Sequence, residues 1–220
     1  MCGRYTNLAN PEDLQTLIQI DEWTVEWEPS YNVAPGQRVL SAIGHNGKIK
    51  AGYLHWGLLP QWKSSGTAQK LMINARSETV TEKKSFQALF QQKRCVMFAD
   101  SFFEWKREGS ERIPYRFQLN EDRPFAFAGL WDIRKIAGEK KPMGTILTTQ
   151  ANELVQPVHD RMPVMLLSEE SIHCWLDTSL EYDEVKLLFT PISSEEMVSY
   201  QVSNRVNSSK NNDPTCIQSF

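Results

Sequence analysis

Apolar positions along this chain recur with two different periods, and the short period dominates. Near the start, Asn10-Pro11-Glu12-Asp13 supplies an N-cap, a proline at the first helical position and acids in the first turn. Leu14, Leu17 and Ile18 then form one stripe, which predicts a short helix. Arg38–Ile43 and Ile49–Trp56 read as strands around His45-Asn46-Gly47-Lys48, a turn whose Asn-Gly pair favours a tight hairpin. Phe86, Leu89 and Phe90 mark a second short helix. Strand-like runs follow at Arg94–Ala99, Phe102–Lys106, Ile113–Leu119, Phe125–Trp131 and Gly144–Thr149. Turn clusters at Glu108–Glu111, Asn120–Pro124 and Ala137–Pro142 separate them. A strand at Pro163–Leu167, a helix opened by Ser168-Glu169-Glu170, a helix around Tyr182–Phe189 and a strand at Met197–Val202 complete the pattern. Strands prevail without a regular βαβ alternation, so the expected class is α+β with a curled, largely antiparallel sheet. No repeat, low-complexity tract or linker interrupts residues 1–220, which predicts a single domain. The polar tail at 208–220 is expected to be loosely held.

Composition changes this picture little. The 220 residues are 40% hydrophobic and 23% charged, an ordinary globular balance that leaves room for a substantial core. The longest apolar runs are too short to span a bilayer, and no charged and then apolar leader opens the chain. Cys2, Cys95, Cys174 and Cys216 lie far apart without a CxxC, which favours a reducing compartment over a disulfide framework or zinc site; the cytoplasm is the expected location. Net charge is −3, yet Pro60–Asn120 holds eleven Lys/Arg against six acids, while the first thirty residues hold six acids and one arginine. Such segregation builds either a basic face or a set of solvated loops.

The second residue brings chemistry into view. Aminopeptidases trim an initiator methionine when a small side chain follows, leaving Cys2 as a terminal residue with an α-amine and a thiol on adjacent carbons. Their reference pKa values, about 7.7–8.0 and about 8.5, leave both groups partly reactive near neutrality. Such a 1,2-aminothiol condenses with an aldehyde to an imine, which the thiol closes to a five-membered thiazolidine. The bland reading is a chance residue at a frayed end. Gly3 allows close backbone approach and Arg4 suits an anion clamp.

Other polar residues compete with structural explanations. His159 sits in a polar run before the apolar Pro163-Val164-Met165-Leu166, which suggests an imidazole at a strand mouth. Glu104 lies in Phe102-Phe103-Glu104-Trp105; aromatic surroundings raise a carboxyl pKa, but alternation equally allows a solvent-facing strand glutamate. Asn74 and Arg76 share one face of an extended segment, an amide and a guanidinium aimed the same way. Trp56 and Trp62 flank a proline-bearing loop ahead of the basic segment, as stacking platforms for single strands or as core indoles; Trp56 reads as core. His45, His55, His173, Cys95, Cys174 and Cys216 show no ligand spacing, so no metal is expected.

Six blocks, taken in order, resemble the SRAP family of abasic-site processing proteins, also called SOS-response-associated peptidases. They are Met1-Cys2-Gly3-Arg4-Tyr5, Tyr31-Asn32-Val33-Ala34-Pro35-Gly36, Trp56-Gly57-Leu58, Ile73-Asn74-Ala75-Arg76-Ser77-Glu78-Thr79, Phe102-Phe103-Glu104-Trp105 and His159-Asp160-Arg161-Met162-Pro163. The resemblance runs from Cys2 to about Val206. It implies one α+β domain with a central barrel-like sheet and flanking helices, acting without a cofactor as a monomer. It also implies covalent capture of abasic sites in single-stranded DNA, with self-removal of Met1 or a short leader. Position by position, Cys2 matches the cross-linking residue, and Asn74, Glu104 and His159 the polar site. Arg4, Arg76 and Arg161 match phosphate contacts, as does Lys84 where relatives carry arginine. Pro35 and Trp62 match wedges against bases flanking the lesion. Two other classes compete: an N-terminal-nucleophile amidohydrolase or peptidase using the Cys2 thiol for acyl transfer, and a non-enzymatic single-strand-binding module.

Overall fold

The computed structural model describes residues 2–60, 70–136 and 138–220. Its elements run β1 (Tyr5–Asn7), α1 (Pro11–Leu17), β2 (Glu22–Trp23), β3 (Ser30–Val33), β4 (Arg38–His45), β5 (Lys48–Trp56), β6 (Asn74–Arg76) and α2 (Gln87–Gln92). There follow β7 (Arg94–Ala99), β8 (Ser101–Glu108), β9 (Glu111–Leu119), β10 (Phe125–Ile136) and β11 (Glu139–Gln150). The chain ends with β12 (Arg161–Pro163), β13 (Met165–Leu166), α3 (Glu169–Leu176), α4 (Tyr182–Val185) and β14 (Met197–Gln201).

Two sheets organise the molecule into one α+β domain. One has the order β14-β9-β8-β1-β3. In the other, β4 pairs β5 and β7, β7 pairs β10, and β10 pairs β11. A short parallel contact between β11 and β5, Met143 opposite His55 and Gly144 opposite Trp56, closes these strands into a barrel. The β4–β5 hairpin turns on Asn46 and Gly47, both at positive φ, as the Asn-Gly signal predicts.

Alternation along β7 shows how the core divides. Cys95, Met97 and Ala99 join the cluster that fills the barrel with Val39, Leu54, Trp56, Phe127 and Ile146. Val96 and Phe98 turn outward to the helices, meeting Leu14, Ile18, Ile172 and Trp175. Both faces of β7 are therefore buried, which explains its unbroken apolar run. The barrel is close-packed at two glycines. A Cβ on Gly129 would lie 2.9 Å from the Thr145 carbonyl and 3.0 Å from Cys95 Sγ; one on Gly144 would overlap Met97.

Strand β1 lies between β3 and β8 and brings the chain start onto the barrel. The Tyr5 ring packs edge-on against Trp56 at 5.1 Å and Phe127 at 5.3 Å. Below it, Asp100 is held by Thr6, the Leu8 amide and Arg116, which also reaches Ser101 and Tyr200.

Two expectations are corrected. The Ala137–Pro142 turn cluster is mostly strand, because β10 and β11 pair out to Ile136 and Glu139. The 208–220 tail is pinned rather than loose. The carbonyls of Ser208 and Asn211 accept from Asn32 Nδ2 at 3.0 and 2.7 Å, Asn212 Oδ1 accepts from the Tyr31 amide at 2.7 Å, and Cys216 is buried. Polar side chains here meet backbone groups of other elements, so polarity signals attachment.

The barrel's tolerance sets a first prediction. Gly129→Ala presses a methyl onto backbone that has nowhere to move, and is expected to cost about 1–3 kcal/mol. Urea unfolding should show a lower midpoint at unchanged slope.

Candidate functional site

Strand pairing assembles four polar residues from distant parts of the chain. Antiparallel pairing sets Tyr5 opposite Phe102 and Thr6 opposite Ser101; continued by two residues, the register brings Gly3 opposite Glu104. Asn74 arrives on β6, which runs parallel to β11 with Asn74 opposite Ile146 and Arg76 opposite Thr148. Its Nδ2 donates to the Cys2 carbonyl at 2.8 Å, a direct tie between the chain start and the polar cluster. Asn74 Oδ1 is buried without a hydrogen-bond partner, an acceptor left over at the site.

Cys2 is fully buried, and burial, reinforced by the charge of Glu104, pushes its thiol well above the ordinary range. The thiol is therefore protonated near neutrality and donates to the Arg4 carbonyl at 3.9 Å. Glu104 is only 3% exposed, on the side of β8 that also carries the core residue Phe102. Alternation is thus real, but the shared face points inward, which removes the solvent-facing alternative. Burial raises the Glu104 carboxyl to about 7, with Asp160 adding to the rise. It exchanges protons readily at neutral pH.

His159 follows a turn in which its amide donates to the Val155 carbonyl. The Arg161 amide donates to His159 Nδ1 at 3.0 Å, while Asp160 Oδ1 lies 2.9 Å from the same nitrogen. One nitrogen cannot accept from the amide and donate to the carboxylate at once. The amide has no alternative role as acceptor, and Asp160 is hydrated with 84% of its side chain exposed, so the amide prevails. That choice puts the imidazole proton on Nε2. Burial also lowers the His159 pKa, keeping the ring neutral.

The cations divide into two groups. Arg4 Nη1 donates to Asn32 Oδ1 and the Val206 carbonyl, both at 2.8 Å. Arg161 grips Glu78 with both terminal nitrogens, at 2.5 and 2.9 Å, and donates to the Thr148 carbonyl at 2.6 Å. By contrast, Arg76 and Lys84 are exposed. Pro35 is half-buried in the turn between β3 and β4, and Trp62 lies outside the described residues. Trp56 is a core indole whose Nε1 donates to the Ile73 carbonyl. Arg94 and Arg116 drop out of any basic face: Arg94 bonds the carbonyls of Phe90, Asp177 and Leu180, and Arg116 bonds Ser101, Tyr200 and Asp100.

Glu78, the carboxylate that holds Arg161, has no role in the sequence reading, although its block is singled out there. Its partner is 83 residues away, and no local pattern announces such a pair. Among the described residues no cluster of His, Cys, Asp and Glu is arranged to hold a metal ion, and no helix is long and apolar enough to cross a membrane.

The raised Glu104 pKa has a thermodynamic consequence. Between the ordinary value of 4.5 and about 7 the folded chain keeps a proton that the unfolded chain has released, so stability falls as pH rises through this window. Glu104→Gln lacks this loss. Relative to wild type it should gain up to about 3 kcal/mol between pH 4 and pH 8, read by urea unfolding at each pH.

The fold and these residues have counterparts. A family model described as SOS response associated peptidase (SRAP) matches residues 1–209. The abasic site processing protein YoqW of Bacillus subtilis is 42% identical over 225 residues, covering all of both chains. The abasic site processing protein HMCES of Xenopus tropicalis is 30% identical, covering 99% of this chain and 78% of its own. A crystal structure of a protein from Bacteroides thetaiotaomicron superposes with a TM-score of 0.84 at 28% identity over the full length of both chains. Family model and relatives agree over nearly the whole length: the chain belongs to the SRAP family.

Proposed function

We propose that this protein recognises abasic sites in single-stranded DNA and captures them covalently through Cys2. The observation that carries the reading is the Asn74 hydrogen bond to the Cys2 carbonyl, which fixes the future terminal residue beside Glu104. The names of the relatives, abasic site processing proteins, support the choice of substrate.

Removal of Met1 frees the Cys2 amine. An abasic deoxyribose is mostly a closed hemiacetal, and its C1′ aldehyde appears only when the ring opens. His159, neutral with its proton on Nε2, donates toward the ring oxygen while the anomeric hydroxyl gives up its own proton. The amine then attacks C1′, and loss of water gives an imine. Glu104, titrating near 7, takes a proton from the amine and returns one to the departing hydroxyl. Asn74 holds the sugar and the Cys2 carbonyl together. Closure follows by addition of the thiol across the imine: sulfur bonds to C1′ and the thiol proton passes to nitrogen. The step is proton-neutral, so a thiol held protonated by burial is no obstacle.

Arg76 and Lys84 are the exposed cations assigned to flanking phosphates, with Pro35 and Trp62 as wedges; Arg4 and Arg161 join them only by exchanging bonds to Asn32, Val206, Glu78 and Thr148 for phosphate oxygens. Fixing the strand makes the reaction effectively intramolecular, an advantage of up to roughly 7–11 kcal/mol in ideal cases. The protein acts as a monomer without a cofactor.

Mature protein mixed with a single-stranded abasic oligonucleotide should give an adduct that survives denaturation, with intact mass reporting both Met1 loss and the added DNA. Cys2→Ala should give none; an undiminished adduct from that variant rules out the thiazolidine. The imine is also the species that undergoes β-elimination and strand cleavage. Cys2→Ser keeps the amine but closes the ring poorly, and should nick abasic DNA more than wild type on a denaturing gel. Nicking at or below the wild-type level removes the imine as the branch point. Adduct yield should fall with added salt, since phosphate contacts position the strand.

A further inference from the structure

The barrel is not sealed along its whole seam. Strand β11 meets β5 only where Met143 lies opposite His55 and Gly144 opposite Trp56. Strand β2 covers the same edge of β5 at Lys50 and Ala51. Residues 52–54 between them have no strand partner on that edge, and β11 over 139–142 pairs β10 alone. A mostly apolar groove of about 500 Å³ occupies the gap. One aromatic ring enters it from each bank, Tyr53 from β5 and Trp131 from β10. The Tyr53 hydroxyl donates to the Glu26 carbonyl at 2.7 Å, which holds that ring in place. Each ring carries a cation: Arg38 Cζ stands 4.5 Å from the Tyr53 centroid, and Lys93 Nζ 4.6 Å from that of Trp131.

No Asp or Glu lines the groove, although the chain as a whole carries a charge of −3. Lys50 at its edge is spent on Glu22 at 2.8 Å, but among the described residues no carboxylate pairs with Arg38 or Lys93. Glu28 adds to the burial that raises the Tyr53 pKa, yet it lines the adjoining cavity and not this groove. Unpaired cations over aromatic rings, with apolar walls, match a base and its phosphate. The groove also adjoins the site. His55 at its end brings Nδ1 to 3.5 Å from the Gly36 carbonyl, beside Pro35, and Trp56 holds the Ile73 carbonyl next to Asn74. We propose that this groove is a second station for the same single strand, where a flanking base stacks on the aromatic rings while Arg38 and Lys93 take adjacent phosphates. The assignment rests on the proposed DNA substrate. Continuity with the Pro35 turn favours a length of the bound strand over a free anionic ligand. Unlike Arg4 and Arg161, these two cations give up no side-chain hydrogen bond or ion pair to reach phosphate. Stacking is tolerant of sequence, so the station adds grip without restricting which lesions are met.

The test measures binding of the full-length mature protein, by fluorescence anisotropy, to single strands carrying a tetrahydrofuran abasic analogue. The analogue has no aldehyde and forms no adduct, so affinity is read at equilibrium. One strand extends about eight nucleotides on the 5′ side of the analogue and about two on the 3′ side; the other reverses these flanks. Wild type should bind one of the two more tightly, the one whose long flank reaches the groove. On that strand Arg38→Gln should weaken binding about fivefold and lower the log–log salt slope by about 0.7. Trp131→Leu should weaken it about tenfold and leave the slope unchanged. Both variants should stay within about twofold of wild type on the other strand, a split that general loss of structure does not produce. Arg38 is exposed, so its variant carries the comparison if Trp131→Leu does not fold. Equal losses on both strands, or no loss on either, overturn the role. If wild type forms no adduct with an authentic abasic strand, the proposed capture fails, while the flank-dependent losses still decide the groove.

Discussion

Burying the beginning of a chain is costly, because main-chain polar groups there lose water and must find partners within the protein. Everything distinctive about this molecule follows from meeting that requirement. Strand β1 is placed inside a sheet rather than at its edge, so both of its sides are paired. The Arg4 carbonyl accepts from the Phe103 amide, and the Cys2 carbonyl from Asn74. The same contacts that satisfy the backbone also define where Cys2 sits. Structure and chemistry here have one cause.

Strand β11 is the second organiser. Its early part closes the barrel by pairing β10 and β5, and its far part holds β6 and β12. Asn74 and His159 therefore inherit their positions from a strand whose other half is locked into the close-packed barrel. Rigid support of this kind is what a site needs when angstrom errors in placement weaken a reaction.

Much of the fold was legible where local rules coincide with burial. The Asn46-Gly47 turn, the Asn10 cap and the doubly buried β7 each carry a signal within a few residues. Strands β1 and β3 escaped because they are three and four residues long and exist only through partners far along the chain. The outer β10–β11 hairpin escaped for another reason: Lys135, Lys140 and Lys141 pair through backbone alone and show no apolar face. At the site, the reactive types were readable one by one, and the family resemblance joined them. The burial that sets the Glu104 carboxyl near neutrality, and the capture of Arg161 by Glu78, depend on contacts no single segment encodes. Arg161 shows the difference most clearly, since a residue read as a phosphate contact spends its guanidinium on the protein itself.

The stitched tail carries a consequence for how distant parts of the chain respond together. Asn32 holds Arg4 with its oxygen, and with its nitrogen the carbonyls of Ser208 and Asn211, while Arg4 also grips the Val206 carbonyl. Arg4 and the 208–211 segment are fastened through one asparagine. Any change at Asn32 therefore loosens two distant stretches together, while β1 itself keeps its pairing with β3 and β8.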